Sequence, residues 1–206
     1  MTNCSELCWC DIRLTLKPAT AYTMAADFST SYFQLFGLPR TFGIDAAQLD
    51  SRYRELQRIV HPDRYVNASD QERRLAMQQA TRINEGYQTL KDPLRRGRYL
   101  LELGGFVFSD QHHTTRDPEF LMRQMELREA LGAVRTADDP LAALAGLIDG
   151  IATDFAALAG ELQSRFSAGD CSDPQAAADT LMKMQFFRRL QEEAQELEAA
   201  LEDELA

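Results

Sequence analysis

Residues 58–69 read RIVHPDRYVNAS, and this stretch decides the fold. Ahead of it Leu49, Tyr53, Leu56 and Val60 recur at steps of four, three and four, one face of a helix from about Asp45 to Val60. Beyond it Ala76, Ala80, Ile83, Tyr87 and Leu90 repeat the helical spacing. Pro62 stops the first pattern, because a proline has no N–H to donate to the preceding turn. Ser69, followed by Glu72, supplies a capping box for the second. Two apolar stripes joined by a short polar loop predict an antiparallel helical hairpin, with His61, Pro62 and Asp63 in its turn.

The rest of the chain points to an all-α fold. Asp92-Pro93, Asp117-Pro118, Asp139-Pro140 and Asp173-Pro174 each put a capping carboxylate before a proline at the first helical position. A short aromatic helix, Tyr32, Phe33, Leu35 and Phe36, ends at Gly37 and Pro39 and can cap the hairpin. Gly104-Gly105 closes a fourth helix. Three more helices are expected at about 118–132, 140–167 and 174–204, and their short connections favour a small antiparallel three-helix bundle. The expected organisation is a disordered extension over 1–30, a helical-hairpin domain over 31–105, a linker over 106–116 and the bundle over 117–206.

The chain has 206 residues, 45% hydrophobic and 26% charged, with a formal net charge of −10. That balance fits a globular protein and argues against the broad basic surface that nucleic-acid binding requires. No apolar run is expected to approach the ~20 residues that span a bilayer. The first 23 residues, with Glu6 and Asp11, lack the apolar core of a secretory signal. A cytoplasmic protein without membrane attachment is expected. Met24 is a candidate start, which would make the preceding residues an upstream extension of the reading frame. Cys4, Cys8 and Cys10 match no common zinc spacing and read as free thiols in a tail. Neither a cofactor nor a resident metal is expected.

On a helix of 100° per residue, Arg54 lies about 20° and Arg58 about 60° from the direction of His61, with the apolar stripe about 80 to 140° to the other side. Arg64 follows in the turn. The result is a compact positive surface ending in His61-Pro62-Asp63 on an acidic protein, a dock for an acidic partner. The same residues also admit two other readings. One is a merely structural turn in which Asp63 caps something local; the other is a metal or acid–base site drawing on His112 and His113, for which no converging ligand set is found.

His61-Pro62-Asp63 between two helices, with Ile83-Asn84, Tyr87, Leu90, Asp92-Pro93, Arg96 and Tyr99 downstream, resembles the J domain of DnaJ-type co-chaperones. The segment Tyr32-Phe33-Gln34-Leu35-Phe36-Gly37-Leu38-Pro39, with Phe120-Leu121-Met122, Met125-Glu126-Leu127-Arg128-Glu129 and the acidic final helix, is similar to the HscB family of iron–sulfur cluster co-chaperones. No Gly/Phe-rich or Cys-rich zinc segment follows the J domain, as it would in a general J protein presenting unfolded clients to a DnaK-type chaperone.

The resemblance implies docking on the DnaK-like ATPase HscA through His61, Pro62 and Asp63, with Arg54, Arg58 and Arg64 orienting the encounter. The ATP chemistry then belongs to that partner, and this chain has no catalytic residue of its own. It also implies that the bundle carries the scaffold IscU on Leu121, Met122, Met125, Glu126, Glu129 and Phe186. Helical spacing agrees in part: Met122, Met125, Glu126, Glu129 and Ala133 share one face, while Phe120, Leu127, Leu131 and Val134 share another that suits the core. Ala133 stands where relatives often carry another acid, and Gly86 replaces the usual alanine, which should soften its helix by up to about 1 kcal/mol. Lys91, Arg95, Arg96 and Arg98 read as a solvated face near a helix start, and the glutamates after Gln191 as the solvent side of the last helix.

Overall fold

The computed structural model describes residues 30–66, 68–106, 117–166 and 171–205. Every regular element among them is helical: α1 (Tyr32–Leu35), α2 (Ala46–Ile59), α3 (Asp70–Lys91), α4 (Pro93–Leu103), α5 (Pro118–Ala133), α6 (Pro140–Arg165) and α7 (Pro174–Leu205). Short 3-10 turns occupy Pro62–Tyr65 and Val134–Thr136. The Asp-Pro pairs act as read. Asp92, Asp117 and Asp139 accept backbone N–H groups of α4, α5 and α6, and Asp173 accepts the Ala176 N–H at 3.0 Å. Ser31 and Ser69 form reciprocal capping boxes with Gln34 and Glu72. The Ser69 N–H and hydroxyl hold the Glu72 carboxyl below its ordinary value.

The hairpin is antiparallel, since Asp50 bonds Tyr87 and Gln57 bonds Asn84, while Val60 lies beside Ala76 and Ala80. Its waist is a stacked pair, Tyr53 and Tyr87, with ring centroids 4.0 Å apart. α1 crosses the α3 end of the hairpin, where Phe33 and Phe36 are buried and the Tyr32 N–H donates to the Tyr99 hydroxyl at 2.9 Å. Gly86 makes this crossing possible. A Cβ there would stand 2.9 Å from the Tyr32 ring and 3.0 Å from the Phe36 ring, so the glycine costs helix propensity and gains a close approach.

α4 buries part of its basic side. It lies between α3 and α7, and its Gly97 would place a Cβ 2.6 Å from a Leu181 methyl. Arg96, expected on a solvated face, is instead 8% exposed: it donates to the Leu90 carbonyl at 2.5 Å and its guanidinium sits 4.9 Å from the Phe42 ring centre. Burial pushes that guanidinium below its ordinary value, and nearby Asp92 opposes the shift. Arg98 is half-buried and bonds Gln185 of α7 at 2.8 Å. The expectation failed because Arg96, about 100° round α4 from the exposed Arg95, faces the core. Arg95 and Lys91 are exposed as read.

The hairpin and the bundle are packed through one continuous core. Phe33, Phe36, Phe42, Leu49, Ile83 and Leu90 cluster with Leu162, Phe166, Leu181 and Met184 from α6 and α7. A middle cluster joins Phe120, Leu127, Ile151, Phe187 and Leu190, and a distal one joins Val134, Leu144, Ala194 and Leu201. α7 contributes to all three. One charged clip repeats this connection, Arg188 to Asp92 at 2.7 Å, and two more tie the bundle together, Lys183 to Asp117 at 2.6 Å and Arg123 to Asp154 at 3.0 Å.

α6 corrects the expectation that no apolar run approaches bilayer length. By length and composition Pro140–Arg165 could cross a membrane. Of its large apolar residues, Leu144, Ile151 and Leu162 are fully buried, Leu141, Leu147, Ile148, Phe155 and Leu158 are partly buried against the clusters, and alanine and glycine supply much of the exposed apolar character. A helix that packs one stripe on α7 and shows small residues elsewhere needs no lipid to explain its composition.

Candidate docking surfaces

The turn between α2 and α3 is built by its own backbone. Val60 ends α2, Pro62 takes the first position of the 3-10 turn, and the His61 carbonyl accepts the Arg64 N–H at 3.0 Å. The His61 ring closes the motif: its Nδ1 accepts the Asp63 N–H at 3.3 Å and lies 3.5 Å from the Asp63 carboxylate. In the neutral imidazole this leaves the proton on Nε2. The side chains of His61 and Asp63 are 57% and 86% exposed. Arg54, Arg58 and Arg64 are exposed as well, and Arg64 reaches the Arg58 carbonyl. The six residues therefore share one polar end of the hairpin, outside the core.

Sequence reasoning missed an apolar neighbour. A shallow, mostly apolar cleft of about 140 Å³, lined by Val60, Pro62, Tyr65, Ala76, Met77 and Ala80 with Arg73 among them, opens directly behind the turn. Val66 and Met77 are 66% and 69% exposed beside it. Met77 lies off the Ala76–Leu90 stripe, and only the turn's position on the hairpin brings it into play. Among the described residues no three His, Cys, Asp or Glu side chains converge in a way that could hold a metal. His112, His113, Cys4, Cys8 and Cys10 lie outside the described residues.

The second surface is on α5. Phe120 and Leu127 turn inward, whereas Leu121, Met122 and Met125 are 43%, 64% and 64% exposed. Glu126 and Glu129 are exposed on the same helix. Phe186 comes from α7 and is half-buried, edge-on to Phe120 and Phe187 at 5.7 and 5.6 Å between centroids. The Arg128 guanidinium sits 5.7 Å from the Phe186 ring centre, tying this ring to α5. Arg123 pairs with both Asp154 and Glu126, so it fixes α5 on α6 and holds one carboxylate of the face. Its guanidinium is raised above the ordinary value, mainly by the Asp154 bond. Sequence reasoning did not find this positioning role, because Asp154 is remote in the chain. Lys183 and the first turn of α5 form a further clip, in which the Lys183 ammonium holds the Asp117 carboxyl below its ordinary value.

A helical hairpin with an exposed His-Pro-Asp turn, carried on an all-α body, defines the class of J-domain co-chaperones. Residues 31–99 match the DnaJ domain family, and residues 116–195 match the family described as HSCB C-terminal oligomerisation domain. The Co-chaperone protein HscB homolog of Shewanella oneidensis is 44% identical over 173 residues, 84% of this chain and 99% of that protein. The Colwellia psychrerythraea homolog is 40% identical over 174 residues with the same coverage. Among solved structures, chaperone HscB from Vibrio cholerae superposes with a TM-score of 0.73 at 42% identity, over 84% of this chain and 99% of that one. Human co-chaperone protein HscB gives 0.74 at 31% identity, with 82% of each chain covered. The chain belongs to the HscB family of co-chaperones.

Proposed function

We propose that this chain is an adaptor for iron–sulfur cluster biogenesis: it binds an IscU-type scaffold on α5 and α7, docks on the DnaK-type ATPase HscA in the cytoplasm, and stimulates ATP hydrolysis there. Residues 31–105 would carry the chaperone contact and residues 117–206 the scaffold contact. What supports the reading is one observation: two exposed faces of different chemistry sit on a single packed body, one cationic around His61-Pro62-Asp63, the other apolar and acidic around Met122 and Met125.

The chemistry of each face fits its role. His61, Pro62 and Asp63 would bias the ATPase only by binding one of its conformations better than another. Arg54, Arg58 and Arg64 would raise the encounter rate through charge. Exposed methionines are deformable anchors, and Glu126 and Glu129 beside them would select a basic rim on the scaffold.

The test separates the two faces. Truncating Leu121, Met122 and Phe186 to Ala should weaken scaffold binding strongly, since apolar anchors at a hot spot are each often worth more than about 1 kcal/mol. Without scaffold, the variant should stimulate basal ATPase as well as the unmutated protein. Phe186 packs on Phe120 and Phe187, so melting temperature is followed, and a second variant with only the exposed Leu121 and Met122 truncated guards against an unfolding artefact. Full-affinity scaffold binding by folded variants would remove these residues from the interface.

A further inference from the structure

We propose that Met122 and Met125 form a peroxide-responsive pair, whose oxidation to sulfoxides releases the scaffold while leaving the fold intact. The inference rests on the scaffold reading of the α5 face given above.

Exposure on the scaffold face singles these two out. Each is 64% exposed, and they lie one turn apart on the outer side of α5, whereas Met184 is fully buried in the shared core. A peroxide can therefore reach both sulfurs without any opening of the protein. The step is a two-electron transfer. The thioether sulfur attacks one peroxide oxygen, an S–O bond forms as the O–O bond breaks, and hydrogen peroxide is reduced to water. The product is a polar, chiral sulfoxide, which methionine sulfoxide reductases return to the thioether at the expense of a thiol reductant.

The physical consequence differs between the free protein and the complex. On the free α5 surface the new S=O dipole is solvated, so folding loses nothing. Against an apolar partner the dipole must be stripped of water without a designed donor, and that cost falls only on the complex. Of the side chains that flank it, Glu126 and Glu129 are acceptors and cannot satisfy it, and the Arg128 guanidinium, one turn from Met125, lies over the Phe186 ring.

The experiment oxidises the purified full chain with graded hydrogen peroxide, removes the oxidant, maps added oxygen by peptide mass, and measures binding to reduced scaffold without chaperone present. Met122 and Met125 are expected to oxidise well before Met184, scaffold affinity to fall by roughly tenfold or more, and the melting temperature to hold. Reductase treatment should restore affinity. A Met122→Leu/Met125→Leu variant should bind before and after peroxide alike. Met77 is exposed too, but it lies on the J domain, so scaffold binding does not read it. Oxidation of Met122 and Met125 no faster than Met184, or affinity unchanged once both are sulfoxides, overturns the inference. A Met122→Asp/Met125→Asp variant then tells which reading failed: if Asp abolishes binding and sulfoxides do not, the redox inference alone falls. If neither matters, the scaffold face is elsewhere.

Discussion

At the residue scale, His61 has two jobs with different consequences. Its Nδ1 caps the 3-10 turn through one exposed bond of 3.3 Å, whose loss costs little, while the rest of its ring is left for the partner contact proposed above. His61→Gln should therefore abolish stimulation of the chaperone's ATPase and shift stability by less than about 0.5 kcal/mol in denaturant titration. Large unfolding would make the motif a fold element. Asp92 carries the opposite balance. Burial alone would raise its carboxyl, but the Arg95 N–H, the Arg188 guanidinium and the Leu94 N–H outweigh it and hold the group below its ordinary value. The folded state thus binds this proton less readily than the unfolded one. The resulting stability is present above the ordinary aspartate pKa of about 4 and is lost as pH falls through the lower folded value. Asp92→Asn, which keeps a capping oxygen, should flatten the acid side of the stability curve below about pH 4; an unchanged slope would show that Asp92 does not titrate with folding.

Elements explain what could be read in advance and what could not. Helix starts were legible because a cap is local: an Asp before a Pro, or a Ser three residues before a Glu, acts on N–H groups next to it in the chain. Whereas α5 carries apolar residues on two faces and only the family resemblance placed Met122 and Met125 outside, the faces of α2 and α3 were legible because their apolar residues keep one period. α4 was not, since Arg95, Arg96 and Arg98 are alike by composition and only the approach of Phe42 and Leu181 sorts them. A helical glycine flanked by Leu94 and Leu101 was the available signal for that approach. Gly86 shows the same thing in reverse: its propensity cost is visible in sequence, its packing value is not. Gly86→Ala gains up to about 1 kcal/mol of helix propensity but drives a methyl into the Tyr32 and Phe36 rings, a strain of about 1–3 kcal/mol. Stability should fall by about 1 kcal/mol in chemical denaturation; a rise would mean that α1 slides aside freely. On the outer face of α2, replacing Arg54 and Arg58 with Glu should slow association with the chaperone, and added salt should shrink the wild-type advantage. Association rates indifferent to both charge and salt would end the steering argument.

For the whole molecule, the finding that matters is that α7 serves three clusters. The sequence divides at Gly104-Gly105, and by pattern alone the two parts read as beads on a linker. The contacts that join them, Leu181 on Gly97 and Arg188 on Asp92, are made by residues whose separation in the chain hides their partnership. A helix of 32 residues is about 48 Å long, and because both faces are fastened to it they stand at a fixed offset.

That fixed offset determines how a passenger meets a motor. With a flexible tether, a scaffold held at one end would reach the engaged chaperone at a local concentration that dwindles as the tether lengthens, roughly as the −3/2 power. Here packed helices join the two faces, so under the proposed function the handover distance would be set by α7 and would be the same in every encounter. Inserting about ten Gly/Ser residues between 107 and 116 should consequently leave scaffold-dependent ATPase stimulation unchanged. The Arg188→Glu/Leu181→Asp pair, which sets the shared core loose, should make the same insertion costly. If the insertion alone weakens stimulation, delivery runs on slack, and the long helix is only a prop.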